Sequence, residues 1–315
     1  MQRLAAGISA RNVPAAVERA RTAERLGYDS VWVNSITAER DSFIVLTAIA
    51  LGTEKAGLGT FVVPIYSRHP TVMVQSAATL DELSGGRLRL GIGVSHKVVV
   101  ENMWGLSLAR PVEAMREYFT IVRTALDESS VNLEGKHFTA RWAYQHPRPQ
   151  HHLPILISAL APKMLELAGE VADGVALWMC SPRYIEETVI PHLRAGRERS
   201  GRNLDGFEVV AGVDVSLTTN VEGAREVARP RFSFYSNLPY YRRVVDEAGF
   251  KEDLARGEIT DEMIHELAGI GDEKAIRQVL RRYRDAGCTL PLLGAFAGHA
   301  GAAGFEATLQ AAAAS

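Results

Sequence analysis

The sequence predicts an α/β fold, a TIM (β/α)8 barrel with insertions. Eight short apolar runs alternate with helical segments along the 315-residue chain. Most of these runs lack the apolar–polar alternation of a half-exposed strand, so they are typical of parallel strands buried on both faces. With 47% hydrophobic residues, the chain can bury the core of one large domain. We therefore predict a single barrel domain over residues 1–315.

The first half of the chain supplies four strand–helix units. Asn12 or Ser9 can cap the first helix, and Pro14 is typical of a first helical turn. The second helix is predicted to end at Gly52 and the third shortly before Gly85. The predicted strands cover residues 4–8, 28–33, 57–63 and 88–94.

The second half continues the alternation but contains two insertions. Pro111 begins an amphipathic helix, and further helices are predicted at residues 162–171, 182–199 and 272–286. The segment near 128–153 is predicted to be a hairpin-like insertion followed by a Pro- and His-rich link. The segment near 220–270 is predicted to be a helical insertion without a strand. The remaining predicted strands cover residues 154–158, 174–179, 207–217 and 288–293.

Charge and cysteine content argue against several classes of protein. The formal net charge is -2, and acidic and basic residues alternate along the chain, so no basic face for nucleic acid or anionic lipid is expected. Cys180 and Cys288 are far apart and lack CxxC spacing, which favours neither a disulfide nor a zinc site. The N-terminal apolar run is too short for a signal peptide, and no window reaches membrane-spanning length. We expect a cytoplasmic protein without a membrane or nucleic-acid partner.

Short motifs narrow the kind of site. The Gly-x-Gly pairs at residues 57–59 and 91–93 lack the third glycine of a dinucleotide fingerprint, so we interpret them as packing glycines inside a barrel. The small residues from Ser158 to Pro162 lead from a predicted strand into a helix. Such a turn exposes backbone N–H groups and indicates an anion cradle, although it is also an ordinary short connection. No GxSxG or HExxH motif occurs, and no metal site is predicted.

Two histidines follow predicted strands. His69 and His96 lie in loops, where either could serve in acid–base chemistry or donate a hydrogen bond to a cofactor ring. A structural role is the alternative for each. His146, His151 and His152 lie near prolines without the i, i+4 spacing of a helical metal site, so we interpret that segment as a loop.

Two sequence blocks carry a family resemblance. LGTFVVPIYSRHP at residues 58–70 and AATLDELSGGRLRLGIG at residues 77–93 resemble the bacterial luciferase-like monooxygenase superfamily. Within that superfamily, they are similar to the oxidoreductases that depend on the deazaflavin coenzyme F420. The resemblance continues through residues 93–118, 157–179 and 232–249, and it therefore covers nearly the whole chain.

The resemblance implies that the barrel mouth holds coenzyme F420, or FMN as the alternative cofactor. It implies a non-prolyl cis peptide bond at Thr60-Phe61 or Phe61-Val62, beside the cofactor ring. Phe61 and Trp178 would form walls of the pocket. The phosphate-bearing tail would extend toward residues 159–162 and 178–180. The implied cofactor-binding residues are Ser35, Thr60, Phe61, Val62, Gly93, Val94, Ser158, Ala159, Leu160, Ala161, Pro162, Trp178, Met179 and Cys180.

The implied reaction is hydride transfer between C5 of the deazaflavin and a small organic substrate. The candidate catalytic residues for proton transfer are His96, Ser95 and Tyr66, of which His96 is preferred. Asn34, Ser35 and Ser95 are candidate contacts to the ring edge or the substrate. Several members of the family carry an Asp-His pair, or a similar polar pair, after the second strand, where this chain has Asn34-Ser35.

Two alternative functions remain open at this point. An FMN-dependent monooxygenase would use the same fold with dioxygen and a partner reductase. A non-catalytic barrel that binds a flavin or deazaflavin would need no Asp-His pair. The resemblance also implies a homodimer formed through helices beside the barrel mouth, with a small-molecule substrate as the other partner.

Overall fold

Parallel strands that close into a ring form the centre of the molecule, and the computed structural model describes residues 3–313. The strands of this ring are almost entirely buried, as the apolar runs in the sequence predict. The strands are β1 (Ala5–Ile8), β2 (Ser30–Val33), β3 (Gly57–Thr60), β4 (Val63–Pro64), β5 (Leu88–Gly93), β6 (Ser130–Glu134), β7 (Thr139–Ala143), β8 (Ile155–Ser158), β9 (Gly174–Leu177), β10 (Glu208–Leu217), β11 (Ala268–Gly271) and β12 (Leu290–Ala295).

Helices connect these strands, and side-chain caps define several helix starts. Asn12, rather than Ser9, caps the first helix, because its side chain accepts a hydrogen bond of 2.9 Å from the Ala15 N–H. Asp41 and Asp272 cap two later helices in the same way. The helices are α1 (Val13–Arg25), α2 (Ser42–Gly52), α3 (Pro70–Ser84), α4 (Pro111–Glu128), α5 (Pro162–Val171), α6 (Pro182–Tyr184), α7 (Ile190–Arg199), α8 (Val221–Ser236), α9 (Pro239–Val245), α10 (Lys251–Ala255), α11 (Asp261–Leu267), α12 (Glu273–Asp285) and α13 (Phe305–Ala313).

Four shorter helical segments complete the secondary structure of the described chain. One is a 3-10 turn at Ile65–Ser67. The others are π-helical turns at Val98–Met103, Ile185–Val189 and Asp246–Phe250. None of the described helices is both long and apolar enough to cross a membrane.

The order of strand pairing confirms the predicted barrel. Neighbouring strands pair in parallel in the order β12, β1, β2, β3, β5, β8, β9, β10, and β10 pairs again with β12 to close the ring of eight. Since all eight run in the same direction, their carboxyl ends meet at one mouth, where sites in such barrels form.

Both interruptions of the alternation contain strands. The segment near 128–153 holds the antiparallel pair β6–β7. The prediction that residues 220–270 lack a strand is wrong, because β11 pairs with the last four residues of β10. β9 ends at Leu177, opposite Ala211, so the carboxyl half of β10 has a free edge on that side and β11 fills it. Strand β11 has only four residues, two of them glycine, so its sequence has too little of an apolar pattern to be recognised as a strand.

The glycine pairs serve packing, as predicted. A Cβ atom added to Gly59 would collide with the indole ring of Trp32, which is fully buried in the barrel interior. A Cβ on Gly93 would lie 2.7 Å from Cγ2 of Val62. A second apolar cluster, built mainly by α8, α9 and α11, covers one side of the barrel mouth. The insertion at 220–270 therefore forms part of the enclosure around the site.

Candidate active site

A cavity of about 680 Å³ opens at the carboxyl ends of the barrel strands. Its size is within the range of pockets that bind small molecules and cofactors. Helices α8 and α9 cover one side of it, and the π-helical turn Val98–Met103 covers another. Its wall contains these residues predicted from the sequence: Asn34, Ser35, Phe61, Val62, Gly93, Val94, Ser95, His96, Ser158, Ala159, Leu160, Ala161, Pro162 and Trp178.

A bulge between β3 and β4 forms the floor of the cavity. Gly59 pairs with Arg89 and Val63 pairs with Ile92, so residues 60–62 stand opposite only residues 90 and 91. The peptide bond Phe61-Val62 is cis, at one of the two predicted positions. The side chains of both residues lie on the cavity wall. The extra residue thus turns the strand end toward the mouth.

Thr60 lies behind this floor and does not line the cavity. Its hydroxyl donates a hydrogen bond of 2.8 Å to the Gly91 carbonyl and accepts one of 2.8 Å from the Gly91 N–H. Thr60 is fully buried. The prediction of a direct cofactor contact through this side chain is therefore corrected. Thr60 has a supporting role, because its hydroxyl bonds replace the strand pairing that the bulge interrupts.

The end of β5 places His96 on the wall. Ser95, which precedes it, has a φ of 62°, an uncommon value for a residue other than glycine and one found at many functional sites. The His96 ring lies 5.7 Å from the ring of Tyr241, measured between centroids. Burial lowers the pKa of His96 below the ordinary histidine value. Its imidazole is therefore neutral at pH 7 and can accept a proton or donate one hydrogen bond.

The beginning of α5 forms a positively polarised end of the cavity. Ala161 is the N-cap and offers no side-chain cap, and Pro162 follows at the first helical position. Lys163 lines the same end and has no hydrogen-bond or ion-pair partner among the described residues. The Tyr184 hydroxyl donates a 2.7 Å hydrogen bond to the Leu160 carbonyl and holds the preceding turn in place. Helix N–H groups beside a free ammonium group are suited to an anion such as phosphate.

The turn after β9 contributes Trp178 to the cavity wall but not the two residues that follow it. Trp178 lies on the cavity wall. Met179, with a φ of 58°, directs its side chain into the apolar cluster beneath α8 and α9. Cys180 is buried, and its thiol contacts the Trp178 carbonyl at 3.6 Å. The predicted cofactor contacts through Met179 and Cys180 are corrected accordingly: the chain turns away from the cavity directly after Trp178.

Two polar candidates near the third strand also lie outside the cavity wall. Tyr66 packs against Phe138 of the β6–β7 turn, and its buried hydroxyl has no hydrogen-bond partner among the described residues. Burial raises the pKa of Tyr66. His69 caps α3 through Thr71 and contacts the Thr139 carbonyl at 3.2 Å, so its role is structural. Tyr66 is not among the cavity-lining residues, and its role as a proton donor stays a prediction.

Residues of the helical insertion complete the wall and were missed as site residues. The signal was present, since residues 232–241 contain five aromatic side chains. Tyr235 contacts the Trp178 ring edge-on at 5.8 Å, and Tyr241 lies 5.2 Å from Tyr235. Among the lining residues the charged side chains are Lys163 and Arg243, and no carboxylate is present. The further lining residues from this insertion are Phe234, Tyr235, Tyr240, Tyr241 and Arg243.

A cluster of potential metal ligands lies elsewhere, at the turn of the β6–β7 hairpin. Glu113, Glu117 and His137 have ligand atoms within 4.8 Å of one another. The Glu117 carboxylate already accepts three backbone N–H bonds from residues 136–138, and Glu113 accepts one from the Lys136 ammonium at 2.8 Å. These groups fasten the hairpin to α4.

The fold and the cavity define a class: a parallel (β/α)8 barrel with a bulged third strand and an enclosed pocket at its mouth. The chain belongs to the luciferase-like monooxygenase family, whose profile matches residues 2–290. It is 33% identical to the 5,10-methylenetetrahydromethanopterin reductase of Archaeoglobus fulgidus over 209 residues. That alignment covers 66% of this chain and 62% of the archaeal protein, so the chain spans less than two thirds of that relative.

Solved structures share the fold along nearly the whole chain. The coenzyme F420-dependent tetrahydromethanopterin reductase of Methanopyrus kandleri superposes with a TM-score of 0.84 at 23% identity, covering 99% of this chain and 97% of that one. An F420-dependent secondary alcohol dehydrogenase, solved with an F420–acetone adduct, superposes with a TM-score of 0.80 at 20% identity, covering 94% of each chain.

Proposed function

We propose that this chain is a coenzyme F420-dependent oxidoreductase that transfers a hydride between the deazaflavin and a small organic substrate. The observation that carries the proposal is a cavity whose wall combines two unlike surfaces. Flat apolar side chains line it at Phe61, Val62 and Trp178, and the uncapped start of α5 lines it beside Lys163. The names of the archaeal relative and of the two solved structures support the choice of cofactor and reaction.

The residues present fit a cofactor that carries both a ring system and a phosphate. Gly93 adds no side chain beside Val62, which keeps the wall flat where a planar ring would approach. The N–H groups of α5 and the Lys163 ammonium would hold the phosphate. When bound, the deazaflavin would supply or accept the hydride.

His96 is the residue we assign to proton transfer. It lines the cavity, and its ring makes no hydrogen bond to another described group. Because its pKa is lowered, the neutral imidazole can take the proton of a substrate hydroxyl as the substrate carbon gives up its hydride. In the reverse direction the imidazolium would return that proton to the developing alkoxide. Asn34, Ser35 and Ser95 line the same cavity and would orient the substrate or the ring edge.

The lining supports a substrate of apolar character. The cavity rim exposes Met103 and Phe234, with relative accessibilities of 64% and 63%, and no carboxylate faces the interior. Such a surface favours binding of an apolar alcohol, ketone or alkene over that of a cation.

Titration of the purified protein with F420 and, separately, with FMN tests the proposal. We expect F420 binding, followed through its fluorescence, and little response to FMN. Phe61→Ala should weaken F420 binding, whereas Lys274→Ala on α12 is a control outside the cavity. Tight FMN binding without F420 binding would favour the flavin monooxygenase. F420 binding without turnover across a panel of alcohols, ketones and enones would favour the non-catalytic barrel.

We also propose a homodimer through α2 and α3. Two large side chains of α2 are exposed, Ile44 at 70% and Leu51 at 72%, and they lie on one helix face seven residues apart. The adjacent α3 exposes Val72 and Leu83. Four large apolar side chains on two neighbouring helices fit a second copy of the chain.

Light scattering should show that the wild type is a dimer. Leu51→Glu should give a monomer, and Val227→Glu on α8 should leave the dimer intact. A monomeric wild type at micromolar concentration would refute the proposal.

A further inference from the structure

The inward-facing positions of β10 have an unusual composition. Side chains alternate along a strand, and Val213 and Val215 pack outward into the main core while Val210 packs inside the barrel. Gly212 and Asp214 therefore face the interior. Asp214 is 2% exposed, so the chain buries a carboxylate near the barrel mouth.

Gly212 provides the space for Trp178. A Cβ atom added at Gly212 would lie 2.5 Å from Cε3 and 2.8 Å from Cζ3 of the indole ring. Trp178 thus rests directly on the backbone of β10, and any larger residue at this position would push the ring toward the cavity that it lines.

Arg231 holds the same ring from α8. Its guanidinium carbon lies 4.5 Å from the centroid of the Trp178 ring, within the range of a cation–π contact. Its Nη1 lies 2.9 Å from Oδ2 of Asp214 and 3.0 Å from Oδ1. Among the described residues no other group forms a hydrogen bond with the Asp214 carboxylate. The one contact of this buried charge therefore serves to hold Arg231 over Trp178.

Burial of this carboxylate opposes its ionisation. Burial raises the pKa of Asp214 to about 6, although Arg231 acts in the opposite direction. A carboxylate that costs folding energy and contacts one cation has a role in arranging that cation rather than in general stabilisation.

We infer that Asp214 and Arg231 are positioning residues that fix the Trp178 indole as a wall of the active-site cavity. We call Asp214, Arg231 and Trp178 the tryptophan clamp. Neither Asp214 nor Arg231 lines the cavity, so both act through Trp178. The clamp also joins the barrel strand β10 to the insertion helix α8, and it thereby couples the placement of the insertion to the shape of the pocket. The choice of F420 as the test ligand rests on the proposed function.

A double-mutant cycle on F420 affinity tests the clamp. Arg231→Met should raise the F420 dissociation constant about fivefold or more, as expected for loss of a cation–π contact that fixes the ring. Asp214→Asn should have a similar effect, and Arg231→Lys should recover much of the affinity because it keeps a cation over the ring. In a Trp178→Leu background, Arg231→Met should change affinity less than about twofold. The control is Arg225→Met on the same helix, whose partner is Asp261 at 2.9 Å and which does not line the cavity.

A second readout needs no cofactor. The fluorescence of Trp178, taken as the difference between each protein and its Trp178→Phe counterpart, should become more accessible to acrylamide in Arg231→Met and not in Arg225→Met. Additive effects in the double-mutant cycle, or unchanged quenching of Trp178, would overturn the clamp. A wild type that does not bind F420 would refute the proposed function instead, and the quenching measurement would still decide the clamp.

Discussion

The Thr60 hydroxyl spans the gap between two barrel strands by bonding both backbone groups of Gly91. Each of the two hydrogen bonds is 2.8 Å long, and both residues are buried. The pair lies where the bulge removes ordinary strand pairing, directly behind Phe61 and Val62. The Thr60 hydroxyl thus gives the Gly91 N–H a partner where the bulge interrupts the strand pairing, and it adds a hydrogen bond to the Gly91 carbonyl.

Thr60→Val should destabilise the protein. The substitution keeps the shape but removes the partner of the buried Gly91 N–H, at a cost on the order of 1–3 kcal/mol. Urea denaturation should show a lower midpoint, and F420 affinity should fall because the cavity floor loses its support. Thr60→Ser keeps the hydroxyl and should retain most of both properties. If valine were as stable as serine here, the hydroxyl would have no such role.

His96→Ala should lower turnover far more than cofactor affinity. Loss of a positioned acid–base group typically reduces the rate by about 10²–10⁴-fold, whereas F420 affinity should change only a few-fold. For oxidation of an alcohol, the wild-type rate should fall as the pH drops through the lowered pKa of His96, since the neutral imidazole is required. Steady-state kinetics with Lys97→Ala as the control, one residue further along the loop, check this. An unchanged rate would remove His96 from the mechanism.

Lys163→Ala should weaken binding only of cofactors that carry a phosphate. We expect the dissociation constant of F420 to rise about three- to tenfold, since a partly exposed charge contact contributes roughly 1 kcal/mol. The affinity for the deazaflavin without its phosphate should stay unchanged. The wild type should also lose affinity with added salt more steeply than the variant. Equal losses for phosphate-free ligands would place the phosphate elsewhere.

Asp214→Asn should increase the stability of the fold relative to the wild type, and this gain should be larger near neutral pH than in acid. The pKa of Asp214 is raised to about 6 by burial, above the value of about 4 for an unfolded chain. Folding therefore favours the protonated form, and the contribution of Asp214 to stability is fully present below pH 4 and is lost as the pH rises through 6. Arg231, Tyr235 and Tyr283 are the other charged or titratable groups coupled to it. Burial raises the pKa of both tyrosines above the ordinary value, so neither titrates between pH 4 and 7.

Melting temperatures from pH 4 to 7 test this prediction. The difference between Asp214→Asn and the wild type should grow in favour of the variant as the pH rises through that window. A difference that is flat with pH would mean that the carboxylate ionises as easily in the folded chain as in the unfolded one. The variant should still bind F420 more weakly, so stability and affinity should change in opposite directions.

Much of the architecture followed from local patterns. The eight barrel strands, the Asn12 cap and the packing role of the glycines all depend on periodicity and on residues adjacent in sequence. The cis peptide bond was available, as one of two adjacent positions, through resemblance to a family. Strand β11 was missed because its pairing depends on the free edge that β9 leaves, which lies far away in sequence.

The sequence by itself determined the eight barrel strands and that their carboxyl ends meet at one mouth, because burial on both faces of a strand and helix capping are local properties. Only the tertiary structure decided which side chains face the cavity. Thr60 and Met179 lie within two residues of Phe61 and Trp178 and yet point away from it, since a bulge or a turn reverses the direction of neighbouring side chains. The same holds for α8 and α9, whose aromatic side chains line the mouth because the insertion folds back over it, with Arg231 of α8 paired to Asp214 of the distant strand β10.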